Sequence, residues 1–290
     1  MERQLKVLMI GAHPDDNDFR SGGIALKYIK KGHSVRFLSV CNGCGGHHVL
    51  SPEEIRTRRL GEFKAVTELT GIEYETLDIP DCELMADLPT RKRLVNYIRE
   101  YKPDIIFTHR NNDYHADHRN VALLVQDASY LLGVPNFCPE TKAIKTPLIM
   151  YFYDKFKNPT FEPDIVIPTD DIIDEKYKMF DCHVSQVYEW LPYENGVLDQ
   201  VPADPRERLE WLRQPRVPRD GTMLTEEDLN IPIASNFSEY REATPAVKYR
   251  EKMVERYGEA GKKALFAEAF QVSEYGAKLT KENIDTYFPF

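Results

Sequence analysis

Leu5-Lys-Val-Leu-Met-Ile-Gly-Ala12, followed at once by His13-Pro-Asp-Asp16, is the stretch that decides the fold. An almost unbroken apolar run of this length is what a strand buried on both faces of a parallel sheet requires. Outward from it, strand-like and helix-like segments alternate. Gly22-Gly23 opens a helical stretch to Lys31, closed by Gly32, and Ser34 to Val40 reads as a second strand. A glycine-rich loop, Cys41-Asn-Gly-Cys-Gly-Gly-His-His48, comes next. Ser51-Pro-Glu-Glu54 then carries the start signals of a helix, with Ser at the cap, Pro in the first turn and Glu54 completing a capping box. That helix should run to about Thr70. Tyr74–Ile79, Asp104–Thr108, Leu148–Tyr153 and Ile165–Ile167 read as strands. Thr90–Lys102, a segment capped at or near Asp117, and Ile172–Val187 read as helices. The expected fold is α/β and Rossmann-like, a mostly parallel, doubly wound sheet flanked by helices.

Past about residue 188 the alternation lapses. Residues 190–250 are rich in charge and punctuated by Pro202, Pro205, Pro215, Pro218, Pro232 and Pro245, and a final helical stretch spans Pro245–Phe270. At 290 residues the length suits two domains or one α/β domain with insertions. The apolar positions after 188 look too sparse for a second core. The expected organisation is therefore one domain over 1–290, with a core to about 188 and an extension over 189–290 that forms a lid or oligomer contacts.

Charge and composition narrow the partners. A formal charge of −9 argues against a nucleic-acid footprint and against adsorption to anionic lipid. No apolar run approaches the roughly 18 residues of a membrane span. The run at Val7–Ala12 is too short for a signal-peptide core, and five scattered cysteines do not form a disulfide framework, so a reduced, cytoplasmic protein is expected.

Two clusters carry the chemistry. In a parallel sheet, ligands sit outside the carboxyl ends of the strands. His13-Pro-Asp-Asp16 leaves the first strand there, and His115-Ala-Asp-His118 follows the fourth. A dinucleotide loop is excluded, because bulky and acidic residues stand where G-x-G-x-x-G needs glycine, and two carboxylates repel a pyrophosphate. Imidazole and carboxylate suit a divalent cation instead. Asp15 and Asp16, as neighbours, point apart, so one would bind the metal and the other face the reacting water. His115 and His118, three apart at a helix start, can address one cavity. Cys41-x-x-Cys44 lacks a second pair and reads as a turn rather than a redox or zinc motif. His47 and His48 are placed at the rim of the site or on the surface, with nothing to choose between them.

Together, Ala12-His-Pro-Asp-Asp16 and His115-Ala-Asp-His118 resemble the PIG-L/LmbE-like family of metal-dependent N-acetylglucosaminyl deacetylases. The loop at Asn42–His48, Arg59-Leu-Gly-Glu62, Pro80-Asp-Cys-Glu-Leu84, His183-Val-Ser-Gln186 and Ala267-Glu-Ala-Phe270 are similar to further landmarks of that family. The resemblance implies Zn²⁺, or another divalent ion such as Fe²⁺, held by His13, Asp16 and His118. It implies Asp15 as general base, a protonated His115 as oxyanion stabiliser with Asp117 as its orienting partner, and Arg59 and Asp81 gripping sugar hydroxyls. The implied reaction removes an N-acyl group, most often acetyl, from a small amino-sugar derivative, in a protein whose homo-oligomerisation stays open. A metal amidase acting on a non-sugar amide or thiol–sugar conjugate is one alternative, and a hydrolase of a different bond is another. The third is an inactive carbohydrate-binding or regulatory module on the same fold. Asn17, in place of the family's usual acid or small residue after H-P-D-D, bears on the substrate more than on the chemistry.

Overall fold

A computed structural model describes residues 3–231 and 235–290, so the expected break at Pro232 lies outside the described residues. Seven strands form one sheet in the order β3-β2-β1-β4-β5-β7-β6. They are β1 (Lys6–Gly11), β2 (Ser34–Cys41), β3 (Glu73–Ile79), β4 (Ile105–Thr108), β5 (Leu148–Phe152), β6 (Ile165–Pro168) and β7 (Ala267–Val272). The first five pair in parallel, and β7 pairs antiparallel with both β5 and β6. The continuous apolar character of β1 has the expected cause. Val7 and Met9 pack into the core on one face, and Leu8 and Ile10 into that on the other.

Helices α1 (Asp16–Lys30), α2 (Pro52–Thr70), α3 (Leu88–Tyr101), α4 (Ala116–Leu131) and α5 (Ile173–Asp181) cover the sheet. The capping box at Ser51 and Glu54 is present, and Gly71 closes α2 in the left-handed region at φ 76°, where a side chain would be strained. The α1 start differs from expectation: it lies at Asp16, six residues before the glycine pair. Gly22-Gly23 sits inside the helix because the buried Glu268 carboxylate of β7 reaches its backbone, accepting from Gly23 N at 2.7 Å and Ile24 N at 2.8 Å. A Cβ on Gly23 would lie 2.8 Å from that carboxylate.

The C-terminal part corrects one further expectation. Helices α6 (Leu191–Glu194), α7 (Pro205–Arg213), α8 (Glu239–Lys248), α9 (Arg250–Tyr257) and α10 (Glu259–Lys263) precede β7, with α11 (Ile284–Tyr287) after it. The expected helix to Phe270 therefore stops at Lys263, and Ala267–Phe270 is strand. Ala267 and Ala269 pack against Ala246 of α8 and Met253 of α9 on one face of the sheet, and no local signal separates this stretch from a helix. The apolar residues after 188 pack onto α5: Leu212, Val217, Leu224 and Phe237 join Tyr177 and Phe180 in one cluster. Among the described residues, no helix is long and apolar enough to cross a membrane.

Candidate metal centre

β1 and β4 are neighbours, with Ile10 opposite Thr108, yet the chain leaves β1 towards β2 and β4 towards β5. This is the topological switch point, where the loops after adjacent strands part and leave a crevice. His13–Asp16 and His109–His118 border it. Gly11 is needed for the convergence, since a Cβ there would come 2.8 Å from the Asp16 Cβ.

His13 Nδ1 lies 3.2 Å from His118 Nε2, His118 Nε2 lies 3.3 Å from Asp16 Oδ1, and His13 Nδ1 lies 3.5 Å from Asp16 Oδ2. A tetrahedral ion with ligands at about 2.0–2.1 Å has ligand–ligand edges of about 3.3–3.4 Å. The two edges that meet at His118 Nε2 match this spacing, while His13 approaches Asp16 through the other carboxylate oxygen. The other nitrogen of each imidazole is held by a carboxylate: His13 Nε2 by Asp117 Oδ2 and His118 Nδ1 by Asp113 Oδ1, both at 3.0 Å. Metal-binding histidines are ordinarily oriented this way. Asp16 is fixed by backbone donors, Ala12 N at 3.0 Å and His13 N at 2.7 Å.

Asp117 thus serves a different histidine from the one expected. Its carboxylate holds His13 and accepts from Cys82 N, and stands 3.8 Å from His115 Nδ1. His115 is the N-cap of α4, and its Nδ1 accepts from Asp117 N. The proton of a neutral His115 therefore resides on Nε2. Burial, followed by His13 and His118, moves its pKa below the usual value. The donors of His13, His115 and His118 also lie within 4.8 Å of one another, as do those of Asp16, His109 and His118. His109 stacks on His118 at 4.2 Å and accepts from Ala12 N, and burial, aided by His118, carries its pKa down to about 4.

Arg59 and Asp81 both border the cavity, with other primary partners than sugar. Arg59 is 2% exposed; its Nη2 lies 3.0 Å from Asp15 Oδ2 and also donates to Pro14 O. Asp81 accepts from Gly43 N at 2.8 Å and Gly45 N at 3.0 Å, stapling the glycine-rich loop. Gly43 is at φ 80°, and a Cβ there would press on Pro14 and Arg59. His47 bonds Glu189, and His48 stacks on Tyr193 at 4.0 Å; neither lines the cavity. Cys41 and Cys44 are free thiols, as are the other three cysteines. The cavity itself has a volume of about 520 Å³, within the range of small-molecule sites. Its wall also includes Trp190, together with Phe237 and Arg241, which the sequence did not single out.

Comparison with known proteins follows from this geometry. The family described as PIG-L: GlcNAc-PI de-N-acetylase matches residues 8–129. This stretch is similar to a PIG-L domain. Every residue of the two clusters lies inside it, whereas Trp190, Phe237 and Arg241 come from beyond it. Among relatives of this chain is a 4-oxalmesaconate hydratase of Pseudomonas putida, 24% identical over 68% of this chain and 80% of the relative. A diacetylchitobiose deacetylase of Thermococcus kodakarensis is 29% identical over 65% of this chain and 74% of the relative. Two solved structures share the fold. An N,N′-diacetylchitobiose deacetylase from Pyrococcus horikoshii has a TM-score of 0.65 and 22% identity over 93% of this chain and 84% of its own. A 4-carboxy-2-hydroxymuconate hydratase from Pseudomonas putida has a TM-score of 0.67 and 18% identity over 96% and 99%.

Two expected outcomes arise here. Asp117→Asn should weaken Zn²⁺ binding about 10–100-fold, the usual cost of losing an outer partner of a ligand, as read by competition with a chelator. The second concerns pH. Burial alone would lower the His13 pKa, but hydrogen bonds to Asp117 and Asp16 outweigh it and raise the value well above 6.5. A proton on Nδ1 excludes the ion, so affinity should fall by about tenfold per pH unit below that raised pKa. The decline should begin at a higher pH than an ordinary histidine would give. Zn²⁺ titrations of metal-free protein across the neutral range check it.

Proposed function

We propose that this protein is a zinc-dependent hydrolase that removes an N-acetyl group from an amino-sugar derivative. The observation that carries the reading is that His118 Nε2 lies 3.2 Å from His13 Nδ1 and 3.3 Å from Asp16 Oδ1, with Asp15 and His115 lining the same cavity. A divalent ion held there supplies Lewis-acid polarisation of the acyl oxygen and a lowered pKa for water; Fe²⁺ fits the same donors.

The protein's own groups account for the rest. Asp15 is anchored through Oδ2 by the buried Arg59, which keeps a cation beside it and leaves Oδ1 for the reacting water. As water oxygen bonds to the acyl carbon, Asp15 takes its proton. His115 Nε2–H donates to the developing oxyanion, a contribution on the order of 10²–10³ in turnover for one such donor. Collapse breaks the C–N bond and the proton on Asp15 passes to the leaving nitrogen, giving amine and acetate. His115 is a poor source of that proton, because its Nδ1 is occupied as an acceptor and burial lowers its pKa. We place sugar hydroxyls at Arg59 Nη1, with Asp81 contributing mainly by shaping the loop. A reducing cytoplasm suits the five free thiols.

Metal-loaded protein should release free amine from N-acetylglucosamine or N,N′-diacetylchitobiose, and none after chelation. The hydratase relative supports a second reading, addition of water to an unsaturated acid at the same centre. Loss of 4-oxalmesaconate absorbance without amine release would favour it.

A further inference from the structure

We propose that the substrate carries an acidic group, a carboxylate or phosphate, bound by Arg20, Lys155 and Arg241 in a chamber that continues the metal-site cavity. That chamber, of about 290 Å³, shares Phe19, Arg20, Asn236, Phe237 and Arg241 with the larger cavity and extends past them to Lys155. The inference deepens the deacetylase reading by naming the charge of its substrate.

The two ends of the cavity differ in charge. Asp15, Asp16, Asp81 and Glu194 line the larger part. The chamber is lined by Arg20, Lys155, Lys176 and Arg241 against only two carboxylates, Glu242 and Glu268. Both of those are already engaged: Lys176 Nζ lies 2.7 Å from each, and Glu268 also accepts from the α1 backbone. Lys176 is neutralised with them.

Three cations remain. Neither the Lys155 ammonium nor the Arg241 guanidinium has a hydrogen bond or ion pair among the described residues. Arg20 donates to Tyr153 O at 3.2 Å, and its nearest carboxylates, Asp16 and Asp113, stand at 3.8 Å. Glu226 borders an outer groove with Lys155 and Arg241 and forms no ion pair with either. The buried Tyr153 hydroxyl also lacks a partner. In a chain of charge −9, two unpaired cations, Lys155 and Arg241, gathered with the loosely paired Arg20 at one end of a cavity whose other end is acidic make a site for an anion. The metal end then addresses the acyl group, and the cationic end fixes which molecules enter.

The test is calorimetric binding to the zinc-loaded full chain. Glucosamine 6-phosphate and muramic acid serve as phosphate and carboxylate probes, with glucosamine as the neutral reference. At least one acidic sugar should bind about 10–100-fold tighter than glucosamine, the range expected of charge-assisted hydrogen bonds. Which one does so identifies the acid. Arg241→Gln should bring that preference close to unity, and Lys155→Gln provides an independent check should the first variant fold poorly. Equal binding of acidic and neutral sugars overturns the proposal, as does a preference that survives in both variants. Amine release from N-acetylglucosamine and its 6-phosphate, followed in parallel, separates the two claims. A lost binding preference in the variants with no release from either substrate removes deacetylation and leaves the anion site. Release at equal kcat/KM from both, with equal binding, removes the anion site and leaves deacetylation.

Discussion

Asp15→Asn is expected to bind zinc with wild-type stoichiometry and to turn over about 10²–10⁴-fold more slowly, the usual contribution of a positioned general base. The asparagine keeps the size of the side chain and an oxygen for the Arg59 guanidinium, so the loop geometry should survive. What it lacks is the ability to take a proton from water. Since Asp15 makes none of the close contacts that join His13, Asp16 and His118, metal content should be unaffected. Arg59 retains Glu62 Oε2 at 3.8 Å as a second counter-charge, which limits the loss of stability. Metal analysis and amine release on the same preparation check both halves. A variant that loses metal and turnover together would place Asp15 among the ligands.

His13→Ala and His115→Ala should part company. The first removes one corner of the triplet, and should lower zinc affinity by more than the roughly 10–100-fold typical of an outer partner, abolishing turnover at ordinary zinc supply. It also strips the buried Asp117 carboxylate of its histidine, with Oδ1 already unpartnered, so the urea midpoint should fall as well. His115→Ala should retain one zinc per chain and lose on the order of 10²–10³ in turnover, as for an oxyanion donor. A metal-free His115→Ala protein would instead favour the His13, His115 and His118 donor set.

The parts legible in the sequence were those fixed by local pattern or by topology. The apolar run of β1 announced a strand buried twice over, and a doubly wound sheet brings the ends of β1 and β4 together wherever they lie in the chain. The His13–Asp16 and His115–His118 clusters could be grouped on that ground, and the family resemblance then implied which of their residues would hold the ion. Pairings decided by side-chain direction could not. Asp117 sits two residues from His115, and proximity in sequence suggested that pairing, but the turn of α4 aims its carboxylate across the crevice at His13. Asp113, which holds His118, carried no signal beyond its place in an acidic, asparagine-rich loop. Asp81 and Arg59 looked like groups for a ligand because nothing local reveals that loop amides and Asp15 engage them first. Ala267–Phe270 hid a strand, since alanine favours helices and the packing of Ala267 and Ala269 against α8 and α9 has no local signal. Arg241 lies on α8, and the chain path that brings it beside Arg20 depends on packing after residue 188.

Anomalous diffraction at the zinc edge from crystals of the metal-loaded protein tests the central claim most directly. A single peak should appear within about 2.0–2.2 Å of His13 Nδ1, Asp16 Oδ1 and His118 Nε2, with His115 Nε2 outside that distance and one coordination position facing the cavity. A peak ligated by His115 in place of Asp16, or no peak between the three groups at saturating zinc, would contradict it.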